Sequence, residues 1–259
     1  MGFLTDLVAE IRRDLDRHPL DDGVLLARAG GLPPARDLAA ALRSRVPAVI
    51  AEVKRSSPSA GAIADRDPAD QARAYEEAGA AAVSVLTEPR HFSGSLADLR
   101  TARMAVQVPV LRKDFLVHPS QLIESRAAGA DAVLLITAAV TPLELDALMA
   151  TARDLGLGVL LEAHSDADLD VALATDAEVI GVNARDLETL EVDVGRARRH
   201  LARIPADRIG VLESGIATRE HVVAAVEAGA SAILVGEALM RATDPRAVLR
   251  GLLGEESHR

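Results

Sequence analysis

Glu77-Ala78-Gly79-Ala80 runs straight into Ala81-Ala82-Val83-Ser84-Val85-Leu86. The first four residues read as the last turn of a helix closed by a glycine, which adopts left-handed backbone without a Cβ clash. The next six are small, apolar or β-branched, the composition of a buried strand. The junction recurs twice. Ala128-Gly129-Ala130-Asp131 leads into Ala132-Val133-Leu134-Leu135-Ile136, and Glu227-Ala228-Gly229-Ala230 leads into Ser231-Ala232-Ile233-Leu234-Val235. A repeated helix–glycine–strand junction describes βαβ units, and so a parallel sheet.

Working outward, short apolar runs fall at roughly 48–54, 81–86, 108–113, 131–136, 157–162, 178–183, 208–213 and 231–236. Helical periodicity fills the gaps, as in Asp67–Ala78, Ser120–Ala128, Pro142–Leu155 and Thr218–Ala228. Eight such units in about 210 residues predict an α/β fold, a single (β/α)8 TIM barrel. A doubly wound open sheet is the alternative. It calls for a glycine-rich turn after the first strand, and Lys54-Arg55-Ser56-Ser57-Pro58 is not one. Residues 1–45 precede the barrel. Ile11, Leu15 and their apolar neighbours predict an amphipathic helix, followed by a break at Gly30-Gly31-Leu32-Pro33-Pro34. We expect a helical extension over 1–45 packed on a barrel over 46–259, one domain overall.

Composition narrows the function. The chain is 49% hydrophobic and 26% charged, an ordinary globular mix. Its net charge of -10 disfavours a nucleic-acid partner. The dense basic run Arg196 to His200 reads as the solvated side of a helix. No cysteine is present, which excludes disulfides, thiolate metal sites and thiol nucleophiles. No apolar run approaches the roughly 18 residues of a membrane span, and the start lacks a signal-peptide core, so the expected compartment is the cytoplasm, without membrane association. We expect a monomer acting on a small molecule.

Of 29 basic residues only Lys54 and Lys113 are lysine; the other 27 are arginine. Arginine replaces lysine wherever a generic positive charge suffices, but not where a compact, deprotonatable ammonium is needed. Both lysines end strands rather than lying on helix faces. Barrel active sites gather at such C-terminal strand ends. There the first strand supplies Glu52 and Lys54, the third Lys113, the fifth Glu162, the sixth Asn183 and then Arg185, and the seventh Glu213. A converging set of acids, amines and amides can neutralise itself and shift pKa values, as acid/base catalysis requires. A structural ion-pair network is the plainer reading of the same residues. Ser214-Gly215 after the seventh strand, and Gly236-Glu237 after the eighth, are small enough for backbone amides to approach a phosphate. Phe92 and Phe115 follow strands two and three and suit an apolar pocket for a ring. His164 has no second ligand at metal spacing, so no metal is expected.

Several runs together resemble the indole-3-glycerol-phosphate synthase family of tryptophan biosynthesis. They are Ile50-Ala51-Glu52-Val53-Lys54-Arg55-Ser56-Ser57-Pro58-Ser59, Ser84-Val85-Leu86-Thr87-Glu88 with Phe92-Ser93-Gly94-Ser95, Val110-Leu111-Arg112-Lys113-Asp114-Phe115, Gly181-Val182-Asn183-Ala184-Arg185-Asp186-Leu187 and Glu213-Ser214-Gly215-Ile216. The likeness runs from about residue 45 to the end, and the extension resembles the family's extra helix over the barrel mouth. The resemblance implies a lyase acting on 1-(2-carboxyphenylamino)-1-deoxyribulose 5-phosphate through ring closure, decarboxylation and dehydration, without organic cofactor or metal. It implies Lys113 as the acid of ring closure and Glu162 as the base of dehydration. Lys54 holds the benzoate carboxylate and protonates the departing hydroxyl, with Glu52 as its partner. Asn183 and Glu213 meet sugar hydroxyls, and Arg185 holds the mouth in shape. Ser57, Ser214, Gly215, Gly236 and the Glu237 backbone match the phosphate positions. The chain departs from the family at Ala60, Ala184 and Leu212, where lysine, asparagine and alanine are usual, and Glu162-Ala163-His164-Ser165 replaces a more usual Glu-Val-His-Asp. Rival readings are a phosphoribosylanthranilate-isomerase-like barrel, whose usual cysteine base is missing here, a Schiff-base aldolase using Lys113, and a catalytically silent scaffold. Removing Lys113 is expected to cut kcat by at least ~10²-fold while leaving folding little changed.

Overall fold

The computed structural model describes residues 2–57, 61–62 and 66–255. Eight parallel strands close into a barrel: β1 (Ala48–Val53), β2 (Ala82–Leu86), β3 (Val110–Lys113), β4 (Ala132–Ile136), β5 (Gly158–Ala163), β6 (Val179–Asn183), β7 (Ile209–Glu213) and β8 (Ala232–Val235). Each pairs with its sequence neighbours, and β8 pairs with β1. Strands and helices begin and end within about two residues of the sequence-derived limits. The three repeated glycines, Gly79, Gly129 and Gly229, have φ of 93°, 92° and 104°, where a side chain would be strained.

Side chains alternate across each strand. Outward residues such as Val49, Val83, Val133 and Ile180 form a core with the surrounding helices, into which Tyr75, Leu99 and Leu122 pack. Inward residues build a second core of Ile50, Leu111, Leu134, Leu160, Val211 and Leu234. Above that layer the inward positions become polar, at Glu52, Lys113, Glu162, Asn183 and Glu213.

The first 45 residues reach both ends of this barrel. Helix α1 (Phe3–Arg17) buries Leu4 and Leu7 and lies over the C-terminal mouth. It is tethered to the segments after three strands. Arg90, after β2, pairs with Glu10 and Asp14; Arg12 meets Glu144, after β4, at 2.7 Å; Thr5 donates to Glu188, after β6, at 2.7 Å. Helix α2 (Asp22–Gly30) packs against Pro119–Ala127. Helix α3 (Leu38–Arg43), capped by Asp37, inserts Leu38 and Leu42 into the bottom of the barrel against β1, β2, β5 and β7. Truncating either fully buried leucine to alanine is expected to destabilise by about 2–5 kcal/mol. Buried Asp131 locks this end, accepting from Arg36 N at 2.8 Å and Val110 N at 2.9 Å beside Arg103.

The basic run departs from its expected solvated setting. Within the helix Val194–Leu201, His200 is buried, with Nε2 3.3 Å from Asp166, and Arg196 and Arg198 are half-buried. Ala197 and Leu201 of the same helix are buried in the outer core, and His200 lies on that packed face. Among the described residues no helix is long and apolar enough to cross a membrane.

Candidate active site

The inward column of each strand ends at the C-terminal mouth, so two-residue periodicity decides which side chains meet there. At the end of β1, Lys54 Nζ lies 2.9 Å from Glu52 Oε1. At the end of β3, Lys113 Nζ donates to Glu162 Oε2 at 3.1 Å and lies 3.3 Å from Glu213 Oε2. Both of those carboxylates are 1% exposed. Glu162 Oε1 accepts from Asn183 Nδ2 at 3.1 Å, and His164 Nε2 lies 2.9 Å from the same oxygen without hydrogen-bond alignment. Asn183 in turn accepts from Arg185 N at 3.0 Å, and Arg185 Nη1 donates to Leu190 O at 2.9 Å, closing the loop after β6.

Burial disfavours the Lys113 ammonium, but Glu162, Glu213 and Glu52 together outweigh it and displace its pKa upward. Burial would raise Glu162, yet Lys113 and His164 hold it well below the usual carboxylate range. Burial, reinforced by ionised Glu162, pushes Glu213 well above that range, and Lys113 opposes this only in part. The surroundings thus set the two carboxyls apart: Lys113 favours Glu162 as its anionic partner, while burial and that neighbouring anion disfavour ionisation of Glu213.

Two glycines make room for this arrangement. A Cβ on Gly181 would sit well inside contact with Glu213 Oε1 and 3.2 Å from Leu160 Cδ1. One on Gly236 would overlap Glu52 Oε1 and lie 3.1 Å from its Cβ and Cδ. Gly236 therefore leaves space for the Glu52 carboxylate, a reason for its smallness beyond the phosphate approach expected from sequence. Ser214 and Gly215 have φ of 66° and 76°, consecutive left-handed residues at the rim. The ring of Phe92 lies 6.0 Å from that of Phe115, and Phe3 of α1 meets Phe115 edge-on at 6.4 Å.

One cavity is lined by Glu52, Lys54, Phe92, Lys113, Phe115, Glu162, Asn183, Arg185, Glu213, Ser214, Gly215, Gly236 and Glu237. Ser57 pairs its backbone with Gly61 in a short antiparallel ladder; its side chain, like Ala60, lies outside the described residues. The departures Ala184 and Leu212 are fully buried and do not line the cavity. Sequence reasoning missed Phe3, whose role depends on where α1 docks. It also missed Gly181, although an isolated glycine inside a strand signals a close approach. His164 drew notice only as a metal ligand. Among the described residues no group of three or more potential ligands could hold a metal ion.

The sequence matches the indole-3-glycerol phosphate synthase family over residues 4–252. It is 47% identical to the indole-3-glycerol phosphate synthase of Nocardioides sp., over 99% of this chain and all of that one. Identity to indole-3-glycerol phosphate synthase 1 of Streptomyces coelicolor is 46%, over 100% and 97% of the two chains. Among solved structures, a mutant tryptophan synthase α-subunit from Pyrococcus furiosus superposes with a TM-score of 0.61 at 18% identity, over 81% of this chain and 99% of that one. A 3-hexulose-6-phosphate synthase gives 0.64 at 15%, over 81% and 100%. These last two likenesses bear on the barrel fold alone.

Proposed function

The chain belongs to the indole-3-glycerol-phosphate synthase family, and from that premise we propose how the polar groups at its barrel mouth divide the reaction between them. The enzyme is a carboxy-lyase of tryptophan biosynthesis that converts 1-(2-carboxyphenylamino)-1-deoxyribulose 5-phosphate into indole-3-glycerol phosphate, carbon dioxide and water. The observation that carries the assignment of roles is Lys113 held between Glu162 and Glu213, with the Glu52–Lys54 pair at the same mouth.

In ring closure the carboxylate-bearing ring carbon attacks the ketone, and the carbonyl oxygen becomes an alkoxide. Lys113 delivers a proton to it. Its raised pKa keeps it an ammonium beforehand, and transfer to an alkoxide, a far stronger base than an amine, still runs downhill. The same property argues against a Schiff-base role, which needs a neutral amine. Loss of carbon dioxide then restores the aromatic ring. In dehydration Lys54 protonates the hydroxyl, the nitrogen lone pair expels it as water, and Glu162 removes a proton from the neighbouring methylene. A cationic intermediate is acidic there, so a carboxylate of depressed pKa is base enough.

Glu52 keeps Lys54 charged against the benzoate carboxylate, Asn183 steadies Glu162, and neutral Glu213 can donate to a substrate oxygen. Phe92 and Phe115 border the aromatic ring, and Arg185 shapes the rim. The phosphate rests on Ser57, Ser214, Gly215, Gly236 and the Glu237 backbone. Residues 1–45 act as an extension of the barrel, a reading supported by Leu38 and Leu42 within the inner core. The test is direct: purified protein mixed with the carboxyphenylamino substrate should develop indole fluorescence with one carbon dioxide released per product. Absence of an indole product would overturn the reading, and a borohydride-trapped adduct on Lys113 would replace it with the aldolase chemistry.

A further inference from the structure

His164 touches Glu162 yet has no part in the steps above. It follows Glu162 by two residues, so its side chain leaves the chain on the same side. That side chain is 7% exposed, and neither ring nitrogen has an aligned hydrogen-bond partner among the described residues. It does not line the cavity. Buried nitrogens without partners are rare and call for a reason. The groups around it all converge on Glu162. Lys113 from β3 holds Oε2, Asn183 from β6 holds Oε1, and Glu213 from β7 lies beyond Lys113. On the helix after β5, Asp168 takes the backbone N–H of His164 at 3.3 Å, leaving the ring to face Glu162. Oε1 therefore has a second donor within reach but out of line. Such contacts in unliganded sites often align only when the reacting geometry forms.

We propose that His164 is a positioning residue for Glu162. When the carboxylate turns toward the methylene hydrogen during dehydration, the Nε2 hydrogen of His164 aligns on Oε1 and holds that orientation. The proton passes from carbon to Glu162, the C–H electron pair becomes the new C=C bond, and the hydroxyl leaves with the Lys54 proton. His164 neither gains nor loses a proton. The inference rests on Glu162 being the base of dehydration.

Two substitutions test it in the full chain. His164→Gln places an amide N–H near the position of Nε2, whereas the shorter His164→Asn places it near Nδ1, out of reach of Oε1. Each is assayed with substrate carrying hydrogen or deuterium at the methylene. The parent enzyme must turn over first, so failure of the functional reading shows there and not in the variants. His164→Asn should lose about 10- to 100-fold in kcat, the scale of a hydrogen bond to a charged group. Its KM should be little changed, and its deuterium effect on kcat no smaller than the parent's. His164→Gln should retain most of kcat. Parental kcat in His164→Asn, equal losses in both variants, or a diminished deuterium effect would each overturn the proposal. If His164→Asn does not fold, His164→Met matches the bulk without a donor and is read against His164→Gln in the same way.

Discussion

Gly181→Ala adds one carbon at the point where β6 passes the Glu213 carboxylate. That carbon would fall about 1 Å short of an ordinary van der Waals separation from Glu213 Oε1, and Leu160 Cδ1, 3.2 Å away, blocks a sideways escape. The carboxylate must retreat by a similar amount. Its 3.3 Å approach to Lys113 then lengthens beyond direct contact, and the two groups lose their common geometry. A misplacement of 1 Å in a catalytic group can reduce rate by about 10²-fold, equivalent to ~2.7 kcal/mol of barrier. Overpacking a filled core destabilises by roughly 1–3 kcal/mol, which for a chain of this size lowers Tm by several degrees. Steady-state indole fluorescence gives the first quantity and thermal unfolding the second. The double variant Gly181→Ala/Glu213→Asp, one methylene shorter, should recover most of the lost stability but not the rate, a non-additive pattern that marks direct contact. Rate and Tm of Gly181→Ala both equal to the parent's would refute the crowding argument, because Glu213 would then have room to spare.

Lys113→Ala should lower kcat by at least ~10²-fold. It should also destabilise the protein at neutral pH by about 3–5 kcal/mol, because Glu162 loses its compensating cation, and unchanged thermal unfolding would contradict the buried pair. Gly236→Ala should push the Glu52 carboxylate off Lys54 and depress kcat, whereas a rise in KM alone would restrict Gly236 to phosphate contact. Glu213 has a folded-state pKa above its unfolded value, so the unfolded chain ionises first as pH rises and this residue works against folding above about pH 4.3. Glu213→Gln should therefore gain stability relative to the parent between pH 4 and 7. A stability difference constant across that range would mean that Glu213 is ionised in the folded state.

Barrel order and strand ends were legible because each relies on local chemistry: glycine after a helix, β-branched residues in a short run, and charge where an apolar run stops. The scarcity of lysine marked Lys54 and Lys113 for the same kind of reason. Pairings across the barrel were not legible. Nothing in the sequence near Lys113 tells that Glu162 and Glu213, some 50 and 100 residues on, both reach its Nζ, since that depends on register and on closure of β8 against β1. For the same reason the expectation that losing Lys113 leaves folding little changed gives way to the predicted loss of stability above. Viewed alone, Lys113 is a reagent; between two buried carboxyl groups it is also the counterion of Glu162. Gly181 acquires its meaning only when Asn183 stands opposite Glu213 in the β6–β7 register. The pattern of α1 showed a helix and the family resemblance set it over the barrel mouth, but neither gave the rotation that turns Phe3 toward Phe115, so Phe3 was missed.

Helix α3 plugs the floor of the barrel, and its partners lie as far along the chain as β7. On a ribosome this sets a waiting time. Leu38 and Leu42 emerge about 170 residues before Glu213, a delay of roughly 10–30 s at ordinary elongation rates. Throughout that interval two leucines destined for full burial have no completed floor to enter. The nascent chain is thus exposed to sticking at its beginning until nearly its end is made. Chaperone demand during synthesis should track the N-terminal forty residues, which make up a small part of the finished molecule.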